Sequence, residues 1–138
     1  MLDELGRHRA EERGVTLFEL DPKTCTTRNR QTFDTYMTLP DRAQLLETME
    51  SAKAGTIIIG VTADTAENDE MAFQSIASSF FAKYNMDLTG LGFRDKFAFI
   101  MQKGYPKKTI FQRKPAHEQS LQMRISIRGK LYCRCNNS

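Results

Sequence analysis

The sequence predicts an α+β domain, with strands outnumbering helices and the helices set between strands. Three observations carry that expectation. The chain has 138 residues, the size of one ordinary domain. Its apolar fraction of 40%, with nine Phe, is enough to build one core. Short stretches of strand periodicity recur along it, and two stretches of helical periodicity interrupt them. Such an order gives a mixed sheet or two small sheets covered by helices.

Glu4 to Arg13, rich in Glu and Arg, reads as a short helix or a loose arm that Gly14 ends. Val15 to Leu20 follows as a strand with apolar residues on both faces, Val15 and Leu17 against Phe18 and Leu20, so it belongs inside a sheet. Asp21-Pro22-Lys23-Thr24 has turn chemistry, and Arg28 to Phe33 returns as the hairpin partner. Pro40-Asp41 opens a helix running to about Lys53, its stripe made by Leu45, Leu46, Met49 and Ala52. The β-branched run Thr56 to Val61 suits a strand covered on both faces. A polar loop, Thr62 to Asp69, leads to a second helix near Glu70 to Tyr84, with Phe73, Ile76, Ala77, Phe80 and Phe81 at helical spacing.

Gly90 to Asp95 is a glycine-containing corner before the strand Lys96 to Gln102. Gly104-Tyr105-Pro106 turns the chain into a short strand over Lys107 to Gln112. Leu121, Met123, Ile125 and Ile127 alternate with polar neighbours, and Arg128-Gly129 turns that strand into a last one ending at Cys133. Residues 1–138 are therefore expected as a single domain, with 121–138 an extra C-terminal hairpin.

Composition excludes several classes. A net charge of +3, from 20 basic and 17 acidic residues, is too balanced for a nucleic-acid protein. No apolar run reaches membrane-spanning length, so no membrane association is expected. Met1 to Gly14 is charged and lacks the apolar region of a signal peptide, which is then either already removed or was never there. The three cysteines are Cys25, Cys133 and Cys135. One intervening residue strains a direct Cys133–Cys135 bridge. Either one of them pairs with Cys25, leaving the other free or joined to a second chain, or all three are reduced thiols. His8 and His117 are remote from the cysteines, so no metal is expected.

Enzyme signatures are missing: no G-x-S-x-G, P-loop, H-E-x-x-H or G-x-G-x-x-G. Asp34, Asp64 and Asp95 are carboxylates of the type used for acid–base work, but the sequence does not place them together. The reading is a protein with no catalysis and no cofactor. Binding suits the charged positions better. Arg13 precedes one strand, Asp64 follows another, and Arg94 and Asp95 precede a third. They converge on one edge of the sheet only if strand 56–61 runs antiparallel to the other two. Arg only donates hydrogen bonds and Asp only accepts them, a suitable pair for sugar hydroxyls. Phe93 adds an apolar face, smaller than the Trp this chain lacks. Equally, Arg94 and Asp95 make a structural ion pair and Asp64 caps the following helix.

Four segments carry a resemblance. They are Arg13-Gly14 before a hydrophobic strand, Phe33-Asp34-Thr35-Tyr36, Gly55 to Val61, and Leu91 to Phe99, reading L-G-F-R-D-K-F-A-F. In order and spacing the pattern resembles the interleukin-like (ILEI) domain of the FAM3 cytokine-like proteins, over about Arg13 to Gly104. It is also similar to the stem domain of the protein O-mannose N-acetylglucosaminyltransferase and to a domain of cell-surface hyaluronan-processing proteins. The resemblance implies a β-β-α globular fold of two small, mostly antiparallel sheets, sandwich-like and flanked by helices. It also implies extracellular or lumenal residence and no catalysis. In the transferase stem the domain binds β-linked N-acetylglucosamine, and the matching ligand positions here are Arg13, Asp64 and Arg94, with Phe93 in place of a Trp. The cysteines do not follow the cytokine-like members, so their disulfide pattern is not carried over. The expectation is a secreted lectin for N-acetylhexosamine glycans, its site formed by Arg13, Asp64, Phe93, Arg94 and Asp95. The alternative is a secreted cytokine-like ligand of a protein receptor. A homo-oligomer, joined through Cys133 or Cys135, would add avidity.

Overall fold

The computed structural model describes residues 13–24, 26–36, 39–63, 66, 73–92 and 94–115. Along them run β1 (Gly14–Leu20), β2 (Thr27–Phe33), α1 (Leu39–Glu50), β3 (Ile57–Ala63), α2 (Phe73–Lys83), β4 (Lys96–Gln102) and β5 (Tyr105–Lys114). The strands make one five-stranded sheet in the order β2-β1-β3-β4-β5. Every neighbouring pair is antiparallel. The α+β expectation therefore holds, with a single sheet formed by the described strands. The second small sheet is not among them. The 121–138 hairpin, the Glu4–Arg13 arm up to Glu12 and all three cysteines lie outside the described residues.

The two strands read as central are central: β1 lies between β2 and β3, and β3 between β1 and β4. Cross-strand register sorts their side chains into two faces. One face carries the row Leu17, Gly60, Phe99 and Phe111 across β1, β3, β4 and β5. Both helices press on this face, bringing Leu45 and Met49 from α1 and Ala77, Phe80 and Phe81 from α2 into one cluster with Val15, Leu17, Ile58, Phe97, Phe99 and Met101. The Phe81 ring stands edge-on to Phe97 and Phe99, at centroid distances of 6.0 and 5.7 Å, the favoured aromatic geometry. Gly60 makes room for this packing: a Cβ there would fall 2.3 Å from the Phe99 ring.

The opposite face carries the row Phe18, Ile59, Ile100 and Ile110. Phe18, Leu20, Ile57, Ala98 and Ile100 on it are buried as well. Burial on both sides is why β3 reads as an unbroken Ile-Ile-Ile run rather than an alternation. The edge strand β2 is different, exposing all its residues but Phe33. A bulge opposite Leu17–Glu19, with Asn29 in the left-handed region at φ 55°, and the charges of Arg28 and Arg30 make it a poor template for further strands.

Helix ends follow local chemistry. α2 stops at a left-handed Asn85, with Met86 N–H donating to Phe81 O (2.9 Å) and Asn85 N–H to Ala82 O (3.0 Å), the paired bonds of a Schellman cap. The short strand expected over 107–112 is longer, Tyr105–Lys114, because the turn before it is a tight Lys103-Gly104 hairpin. There Gly104 N–H donates to the Tyr84 hydroxyl (2.8 Å), tying the hairpin to the end of α2.

Candidate functional site

Because neighbouring strands alternate in direction, one end of the sheet collects the starts of β1 and β4 and the ends of β2, β3 and β5. The registers fix this: Gly14 faces Ala63, Val15 faces Phe33, and Lys96 faces Lys114. β3 is antiparallel to both β1 and β4, which is the condition for the predicted charges to converge. Arg13 and the Arg94-Asp95 corner accordingly stand at the same end. Asp64 and Phe93 lie outside the described residues.

Arg13 is placed by its neighbour. Gly14 has φ 103°, and a Cβ there would sit 2.0 Å from the Phe33 carbonyl oxygen. Only glycine permits this approach of β1 to the end of β2. The approach sets Arg13 beside Asp34, with Nε donating to Oδ1 at 3.0 Å and Nη2 to Oδ2 at 2.7 Å. This is the two-pronged arrangement in which Arg binds a carboxylate most firmly. The Tyr36 ring lies 5.0 Å from the guanidinium carbon, within cation–π range. The pair is partly open to solvent, at 39% and 30% side-chain exposure, so its groups are within reach of a ligand.

The segment carrying Asp34 and Tyr36 is braced from behind. Asp34 N–H donates to Asp41 Oδ2 in the first turn of α1 (2.7 Å). Thr35 is buried, and its hydroxyl donates to Ala66 O (3.0 Å), on the chain following β3. Arg42, also buried, donates through Nε to the Thr35 carbonyl. The Phe-Asp-Thr-Tyr run thus links β2, α1 and the segment beyond β3 at one point.

The second part of the site is a closed turn. Asp95 N–H donates to Gly92 O (3.1 Å), and Gly92 N–H donates back to Asp95 Oδ2 (2.7 Å). Arg94 sits in this turn at φ 66°, exposed, in a conformation that usually selects Gly or Asn. Arg113 of β5 stands 3.9 Å from Asp95 Oδ2 and donates through Nη1 to Asp87 O (3.0 Å) and Thr89 O (2.9 Å). Asp95 therefore holds the corner in shape, and Arg94 is the side chain the corner displays.

Asp34, Tyr36 and Arg113 belong to this end of the sheet and were not among the expected ligand positions. In the sequence Asp34 is one of several loop carboxylates, and Tyr36 is part of the Phe-Asp-Thr-Tyr motif. The available signal was a strand beginning after Arg and its hairpin partner ending before Asp, at positions the hairpin brings level. Among the described residues no group of three or more His, Cys, Asp or Glu is disposed to hold a metal ion. No helix of the described residues is long and apolar enough to cross a membrane.

Fold and site together define an α+β domain that gathers opposed charges at one end of an antiparallel sheet. The family model of the interleukin-like EMT inducer, ILEI, matches residues 13–105, most of the chain. The chain belongs to the ILEI family. No match to a curated protein was found.

Proposed function

We propose that the protein is a lectin that binds N-acetylglucosamine or a related N-acetylhexosamine at the charged end of its sheet, outside the cell or in a lumenal compartment, without transforming the sugar. The observation that carries this reading is that Arg13, just before β1, and Arg94, just before β4, stand at the same end of the sheet, with Arg13 already oriented by Asp34 and Tyr36. A sugar presents hydroxyls and an acetyl carbonyl that accept from guanidinium groups, and hydroxyls that donate to carboxylates. Arg94 exposes its charge from a strained backbone, a feature that recurs where a ligand is held.

Titration calorimetry with N-acetylglucosamine tests the reading. The native protein is expected to bind with a Kd on the order of millimolar to micromolar, as single sugar sites do, and Arg94→Ala to lose most of that affinity. Absence of binding to any N-acetylhexosamine would remove the lectin reading in favour of a secreted ligand for a protein receptor. Appearance of cleavage products from chitin oligomers would show catalysis instead.

A further inference from the structure

The end of the sheet opposite Arg13 gathers lysines from three elements. After α1 the chain passes Lys53 on its way to β3, and Thr56 N–H donates back to the Lys53 carbonyl (3.0 Å). Lys83 closes α2, next to the Tyr84 whose hydroxyl accepts from Gly104 N–H. The Lys103-Gly104 hairpin is laced to the start of β3, with Gly55 N–H donating to Lys103 O and Lys103 N–H to Thr56 O, both at 2.8 Å. Beyond the hairpin the register of β4 and β5 breaks: Gln102 faces Tyr105, yet Ile100 faces Ile110. Met101 alone therefore stands opposite Pro106, Lys107, Lys108 and Thr109, and this extra length takes both lysines out of the regular ladder. Asn85 holds the bulged segment, donating through Nδ2 to the Pro106 carbonyl (3.1 Å).

The charges of this corner are unmatched. Lys53, Lys83, Lys107 and Lys108 are all exposed, and none of them makes an ion pair among the described residues. Lys103 is different: its ammonium donates to the carbonyls of Glu50 and Ala52 at the end of α1, so it serves the fold. Lys108 lies 5.1 Å from the centroid of the half-exposed Tyr105 ring. Asp21, in the other turn at this end, is engaged by Arg28 (3.6 Å). Glu47 and Glu50, in the last turn of α1, leave the lysines in excess.

We propose that this lysine corner is a docking site for a sulfated polysaccharide, separate from the sugar site proposed above and independent of it. A linear polyanion laid across the end of α2, the β4–β5 hairpin and the end of α1 meets the four exposed lysines from one element to the next. Ammonium groups are point charges on flexible stems, suited to an irregular row of sulfates, and basic clusters of this kind recur in polyanion binding. A bilayer would call for apolar side chains that insert beside the charges, and Tyr105 is the large apolar residue exposed among the described residues. A nucleic acid would call for several aromatic platforms on which bases stack.

The test is calorimetric titration of the full chain with a heparin-derived oligosaccharide of fixed length over a series of salt concentrations. The native protein is expected to bind with a Kd on the order of micromolar near about 0.15 M salt, weakening steeply as salt rises. Lys107→Gln combined with Lys108→Gln should bind about tenfold more weakly, with a shallower salt dependence. Lys96→Gln combined with Lys114→Gln removes the same charge at the other end of the sheet, where the two residues face each other, and should stay within about twofold of native. If the hairpin variant lowers the urea midpoint, Lys53→Gln combined with Lys83→Gln decides the same question from outside the hairpin, with an expected loss of about fivefold. Equal losses at the two ends of the sheet would mean that only net charge matters, and would overturn the proposal. So would a native protein that binds no heparin oligosaccharide, or one that binds phosphatidylserine vesicles instead. The lectin reading is decided separately, by N-acetylglucosamine binding and its loss in Arg94→Ala.

Discussion

At the scale of single residues, Arg94 sets a strained backbone against its proposed role in binding. A side chain at φ 66° costs roughly 1 kcal/mol relative to glycine, and Arg94 holds that conformation at an exposed position. Arg94→Gly relieves that backbone cost and, on the proposed lectin reading, is expected to abolish sugar binding in calorimetry. Gly14 shows the reverse case, where the backbone leaves no room for any side chain and the position serves by being empty. Arg13 and Arg94 were legible as candidates because each precedes a strand, a place where side chains reach beyond the sheet. The partner of Arg13 was not. Asp34 is 21 residues away, and bringing it level with Arg13 depends on how β1 and β2 pair across an irregular register. Asp95 was legible as a charge at the corner, but its bonds to Gly92 give it a backbone role that composition does not reveal.

Elements depend on contacts that local pattern only partly anticipates. The hairpin between β1 and β2 turns on Asp21, whose carboxylate accepts from Lys23 N–H at 2.8 Å. That bond is the main reason its pKa is lowered, with Thr24 N–H and the nearby Arg28 acting in the same direction. A carboxylate that titrates lower when folded supports the fold fully above its unfolded pKa and loses that support as pH falls through the folded value. The protection of the Lys23 amide from exchange, taken relative to its intrinsic rate at each pH, should therefore hold above about pH 4 and fall in more acidic solution, with Asp21→Asn showing no such step. The turn itself was readable from Asp-Pro-Lys-Thr, because its chemistry is local. The helices were readable from their apolar stripes, and α1 ends at Glu50, short of the expected Lys53. There the chain turns toward β3, and Lys103 donates to the carbonyls of Glu50 and Ala52. A contact from the β4–β5 turn, 53 residues further along the chain, lies beyond what a stripe can show.

For the whole molecule, the sheet is the common support of both faces. Ile100 is 1% exposed on the face away from the helices, flanked across the strands by Ile59 and Ile110. Ile100→Ala is expected to cost about 3 kcal/mol in a denaturant titration, comparable with a core position under the helices. Ile110→Ala, at a less buried position on an edge strand, should cost less than half of that. Strand identity was legible in the sequence, but strand order was not. Nothing local distinguishes one sheet with β1 and β3 side by side from two small sheets, since both bury the same residues. The alternation of strand direction also separates two kinds of connection. The charged end holds the Arg13 approach, the Asp34 bend and the Gly92–Asp95 corner, while the opposite end holds the short turns at Pro22–Thr24 and Lys103–Gly104. New chain termini, or an inserted reporter, placed in the Pro22–Thr24 turn would stand a full strand length from Arg13 and Asp34, so the domain offers a handle for permutation and labelling at the pole away from the proposed lectin site.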